Sequence, residues 1–141
     1  MTELEEMGPI DYVVLEWTGS QPDGTALPHL IDLVESGTVR ILDLVFVTKA
    51  QDGSWAMLAI DELGDAFAAF NGATSGIIGE SDIDEAMSAV EPGTSAAIIV
   101  WENRWAAPFA MAVRKNGGQM VASGRIPIQA LLDAVDTEVA V

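Results

Sequence analysis

The sequence predicts an α+β fold, a ferredoxin-like sandwich with an additional C-terminal helix-strand-helix. Three observations predict it. Apolar runs rich in β-branched residues are interleaved with stretches of helical periodicity; their order is strand, helix, strand, strand, helix, strand, with helix, strand and helix added; and Gly and Pro mark the boundaries. Right-handed crossovers then put the helices on one face of an antiparallel sheet. The other face needs cover from the C-terminal helices or from a second copy. With 141 residues the chain fits one such domain, 10–141, behind a flexible acidic N-terminus, 1–9.

Residues 12–17, apolar, β-branched and aromatic, form the first strand, ended by the turn composition of 18–24. Leu27, Leu30, Ile31 and Val34 repeat at helical spacing, so a helix runs over 26–36 with Pro28 in its first turn and Gly37 as its stop. The strand 39–49 carries Leu44, Val45, Phe46 and Val47, apolar on both faces, and is an inner strand. Gln51, Asp52 and Gly53 turn it into a hairpin with 55–60. Asp61 can cap a short helix carrying Leu63, Phe67 and Phe70, and a loose Gly-rich stretch, 71–79, follows.

Ser81 starts a helix whose first-turn acids, Asp82, Asp84 and Glu85, suit the positive end of the dipole. Its buried face is Ile83, Ala86, Met87 and Val90, and Pro92 with Gly93 stops it. Residues 95–101 are an uncharged strand, 106–116 a helix closed by Gly117 and Gly118, and 119–124 a further short strand. Pro127 opens the last helix, with Ile128, Leu131, Leu132 and Val135 inward and Asp133, Asp136 and Glu138 in water.

Half the residues are apolar and 22 Asp plus Glu face 6 Lys plus Arg, a formal charge of −16. On the roughly 7,000 Å² that a folded chain of this mass exposes, this is about one net negative charge per 440 Å². Such a surface repels phosphate, and the basic residues are scattered from Arg40 to Arg125, so nucleic acid and anionic lipid are poor partners and no nucleic-acid binding is expected. The absence of Cys removes disulfides, thiolate nucleophiles and zinc-thiolate sites. The acidic start has no secretory h-region, and the uncharged run 66–79 is too short and polar to span a bilayer. The expectation is a soluble cytoplasmic protein with no membrane insertion.

His29 is the only histidine, off its helix's apolar stripe, which excludes a His-based triad or a multi-histidine metal site. No Gly-x-Ser-x-Gly, Walker A or dinucleotide fingerprint occurs. The carboxylates of Glu80, Asp82, Asp84, Glu85 and Glu91 resemble a calcium loop in spacing, but Glu85 stands where the turn needs Gly and the helical stripe runs between them. No metal, cofactor or catalytic residue is expected, and an enzymatic role is disfavoured without being excluded.

The stretch 101–109, WENRWAAPF, places Trp101 and Trp105 four apart at a strand-to-helix junction, with Phe109 one turn on. These three are candidate interface anchors. The structural alternative is that both indoles plug the end of the core while Asn103 caps the helix. Asp43 and Arg125 each interrupt an apolar stretch, so they form either a buried ion pair or the polar wall of a pocket.

The segments GPIDYVVLEW, GTVRILDLVFVTK, EPGTSAAIIVWENRWAAPFA and GGQMVASGRIPIQALLDA resemble a family of small uncharacterised bacterial proteins known only by a domain-of-unknown-function label. A more distant likeness is to bacterial membrane and stress-associated proteins that carry a glycine-zipper insert where this chain has only GATSGIIGESD. The resemblance implies the α/β domain and a stress-associated setting without the membrane part, and it brings no catalytic residue, ligand or partner.

The leading expectation is a non-enzymatic oligomerising or adaptor module that forms a homo-oligomer through Trp101, Trp105 and Phe109. The rival is a small-molecule-binding or cofactor-dependent protein of the dimeric α+β barrel type, with a pocket lined by Trp17, Phe46 and Trp101 and polarised by Asp43 or Arg125. A third reading is an acidic partner of a basic protein, met faster through its charge.

Overall fold

The computed structural model describes residues 6–17, 24–70 and 72–139. Four strands, β1 (Ile10–Trp17), β2 (Arg40–Lys49), β3 (Trp55–Leu58) and β4 (Ser95–Glu102), form one antiparallel sheet in the order β1-β4-β2-β3. The helices are α1 (Leu27–Glu35), α2 (Glu80–Met87), α3 (Ala107–Lys115) and α4 (Ile128–Val139), with 3-10 turns at Ile60–Leu63, Asp65–Phe70 and Arg104–Ala106. The predicted strand, helix, strand, strand, helix, strand order is therefore found. The turn expected at 18–24 lies, except for Gly24, outside the described residues.

Local chemistry explains the boundaries. Pro28 stands in the first turn of α1, and Gly37 ends the helix at φ +76°, where the backbone has turned left-handed. The hairpin turn is an Asx turn, in which the Asp52 carboxylate accepts the N–H and hydroxyl of Ser54. Gly79, not Ser81, begins α2: its N–H donates to Asp82 Oδ2 at 2.9 Å. Lys49 closes the far end of α2, donating from Nζ to the carbonyls of Met87 and Val90 at 2.7 and 2.9 Å.

The layers depart from expectation. Successive strand residues point to opposite faces, and the core divides accordingly. Leu44, Phe46 and Ala97 pack with Leu27 of α1 and with Phe67 and Phe70 on one face; Val45, Val47, Ala96 and Ile98 pack with Ile83 and Met87 of α2 on the other. Helices therefore cover both faces, which the two-faced apolar run of β2 requires. The chain changes face between Ala73, which packs with the first cluster, and Ile78, which packs with the second. It does so beside β2, where β3 has already ended. There Thr74 and Ser75 hydroxyls donate to the carbonyls of Leu44 and Leu42 at 2.6 Å each.

Three further expectations need correction. Met7–Pro9 is packed, not a free tail: Gly8 is buried and its N–H donates to Glu102, while residues 1–5 lie outside the described part. Residues 119–124 form no strand, because no sheet edge receives them, and they stand exposed. Helix α4 follows Pro127 as predicted, but Ile128, Leu131, Leu132 and Val135 are exposed rather than inward. The C-terminal helices therefore do not cover the sheet. The exposed area is 9586 Å², about a third above the roughly 7,000 Å² of a compact monomer. Among the described residues no helix is long and apolar enough to cross a membrane.

Candidate interaction surface

One end of the sheet, where β1 and β2 begin and β4 finishes, is closed by polar groups that hold the start of the chain. Glu102, 6% exposed, accepts the Gly8 N–H at Oε2 and the Arg40 Nε–H at Oε1, both at 2.9 Å. Burial pushes its carboxyl up. The Gly8 N–H, the Arg40 hydrogen bond and the charges of Arg40 and Arg104 outweigh that and hold it below the usual glutamate value. A Cβ on Gly8 would stand 2.1 Å from the Asn103 carbonyl oxygen, so only glycine lets the two backbones meet.

Asn103 uses its whole side-chain amide here. Nδ2 donates to the Pro9 carbonyl at 3.0 Å and to Asp11 Oδ2 at 2.8 Å; Oδ1 accepts the indole N–H groups of Trp101 at 3.1 Å and Trp105 at 3.3 Å. It does not cap the following turn with its side chain. Helix α3 begins with Pro108 in its first turn and ends on Arg114 and Lys115, cations that favour the negative end of the dipole. None of its residues is buried.

Trp105 is 66% and Phe109 74% exposed, one helical turn apart, while Trp101 is half-buried in β4. The two indoles do not plug the core. Asn103 joins the Trp101 and Trp105 rings, and Trp105 with Phe109 forms a bare aromatic ridge.

Asp43 and Arg125 are not brought together. Asp43 is fully buried at the β2 bulge, and its carboxylate accepts three backbone N–H groups, from Leu44 at 2.9 Å, Ser75 at 2.8 Å and Ile78 at 2.7 Å. It is the clamp for the segment that changes face. Arg125 lies exposed on the stretch before α4. Among the described residues a cation–carboxylate contact forms instead between half-exposed Arg40 and buried Glu102, which the opposite ends of two apolar strands, one opening on Arg and one closing on Glu, could have signalled.

Basic residues are not evenly scattered. Four of the six fall between Arg104 and Arg125, and no Asp or Glu lies between Glu102 and Asp133. The ridge thus sits in a basic stretch of an otherwise acidic chain. Of the cations elsewhere, Arg40 binds Glu102 and Lys49 binds the end of α2. His29 is exposed.

Two concavities lie among the described residues. A cavity of about 200 Å³ between α1 and the sheet is lined by Trp17, Phe46, Leu30 and Phe67; Trp101, Asp43 and Arg125 do not reach it. A groove of about 540 Å³ lies on the other face between α2 and β1, floored by Val14, Ile78 and Ile98. Among the described residues no three His, Cys, Asp or Glu side chains gather to hold a metal ion. A family described as a family of unknown function, DUF6325, matches residues 6–141. No curated protein and no solved structure matches the chain.

Proposed function

We propose that this chain, which belongs to the DUF6325 family of unknown function, is a non-enzymatic oligomerising or adaptor module that associates through the Trp105–Phe109 ridge. The observation that carries this reading is the bare ridge itself, two large exposed aromatic rings, Trp105 in the 3-10 turn and Phe109 in α3, a helix with no fully buried residue. Burying both rings would contribute about 3–6 kcal/mol. A screened contact between rim charges is worth about 1 kcal/mol or less, so the chain's acidity does not prevent association. The order of elements along the chain, strand, helix, strand, strand, helix, strand, supports the ferredoxin-like part of this reading; the spatial order, with β4 and β2 central, and the helices on both faces depart from that sandwich. A bacterial, cytoplasmic setting belongs to the same reading.

Light scattering across a concentration series tests it. The wild type is expected to exceed monomer mass and Trp105→Ala, with unchanged circular dichroism, to fall toward it. An equal mass for both proteins overturns the ridge as the contact. The 200 Å³ apolar cavity favours a second reading, binding of a small apolar molecule; native mass spectrometry of purified protein would reveal a stoichiometric ligand.

A further inference from the structure

The groove between α2 and β1 has the character the ridge lacks a partner for. Its floor is apolar, and Tyr12 and Ile77 at its mouth are 72% and 59% exposed. Asp82 and Glu85 of α2 stand on its rim with Asp11 of β1, and no Lys or Arg lines it. The buried residues of α2 pack on β2 and β4, and the groove runs alongside between α2 and the more exposed β1.

Among the described residues two exposed apolar stretches could fill it, and charge separates them. The stripe of α4 is apolar, but Asp133 and Asp136 on the same helix would meet the acidic rim. The ridge instead has Arg104 beside Trp105 in the 3-10 turn and Arg114 and Lys115 at the end of α3 beyond Phe109, with no acid in either element. We infer that the occupant is a second copy of this chain, whose Trp105–Phe109 ridge seats in the groove while its Arg104 and Lys115 face the Asp82–Glu85 rim. The inference rests on the oligomerisation reading and adds to it that the two copies meet through different surfaces.

Such a contact is recognised by complementation. Phe109→Glu spoils the ridge alone, and Ile77→Lys with Glu85→Lys spoils the groove alone; all three side chains are exposed, so both variants should keep the wild-type melting curve. Each variant by itself is expected to run as a monomer in light scattering. Mixed in equal amounts, they should give a heteromeric species in native mass spectrometry, because one supplies an intact groove and the other an intact ridge. Wild-type association should weaken about tenfold from low to high salt. If the groove variant keeps the wild-type mass while the ridge variant loses it, the ridge meets something other than the groove; the oligomerisation reading then stands and this pairing falls. A mixture that stays monomeric also overturns the pairing. A monomeric wild type overturns both.

Discussion

Asn103 Oδ1 accepts the indole N–H of Trp105 at 3.3 Å, and the same oxygen takes that of Trp101, so one amide sets both rings at the base of the ridge. Its Nδ2 is anchored in turn to Pro9 and Asp11. The ridge is therefore oriented by the packed start of the chain and not by helix propensity alone.

Asn103→Asp removes both donors and sets a carboxylate against Asp11. It should destabilise the fold by about 1–3 kcal/mol and shift tryptophan emission, read together in urea unfolding followed by fluorescence. Stability within about 0.3 kcal/mol of wild type would show that the amide positions nothing.

Gly8→Ala drives a methyl group into the Asn103 carbonyl and pulls the Gly8 N–H from Glu102. The expected cost is about 1–3 kcal/mol, with faster cleavage near the N-terminus in limited proteolysis. An unchanged digestion pattern would mean that Met7–Pro9 is not held.

Glu102 is held below the ordinary glutamate range in the fold, so it contributes stability that is present above its unfolded pKa of about 4.3. That contribution disappears as pH falls through the folded value. Arg40→Ala should lower stability at neutral pH and flatten its fall below about pH 4.3, measured as the urea midpoint against pH. Parallel curves for the two proteins would exclude the pair as a source of acid sensitivity.

Asp43→Ala leaves three backbone donors without an acceptor where the chain changes face, at a cost of about 2–4 kcal/mol. Asp43→Asn, which keeps acceptor capacity at one oxygen, should lose less. Equal midpoints in thermal melting for Asp43→Ala and wild type would contradict the clamp.

The four strands of the sheet and most helix limits are legible because side-chain period and Gly and Pro punctuation are local, whereas the stretch 119–124 mimics a strand without becoming one. The alternation of Leu44 and Phe46 with Val45 and Val47 already required cover on both faces; local pattern could not say that the chain would change face at 73–78, since the Ser75 and Ile78 amides that meet Asp43 have no residue signature and Thr and Ser hydroxyls are common in loops. The burial of Asp43 was foreseeable, its partners were not. Helix α4 is amphipathic in sequence, but amphipathicity specifies a stripe without naming what covers it, and the stripe stands exposed. Trp105 and Phe109 were visible as a junction. Their surroundings were less so, because summed composition hid the acid-free stretch between Glu102 and Asp133.

Hydrogen exchange of the wild type, recorded well above and well below the concentration at which its mass changes, tests the central claim most directly. The account predicts that amides of α3 and the adjoining 3-10 turn gain protection on association, with a matching gain in α2 and β1. Association that leaves 104–115 unprotected would contradict it.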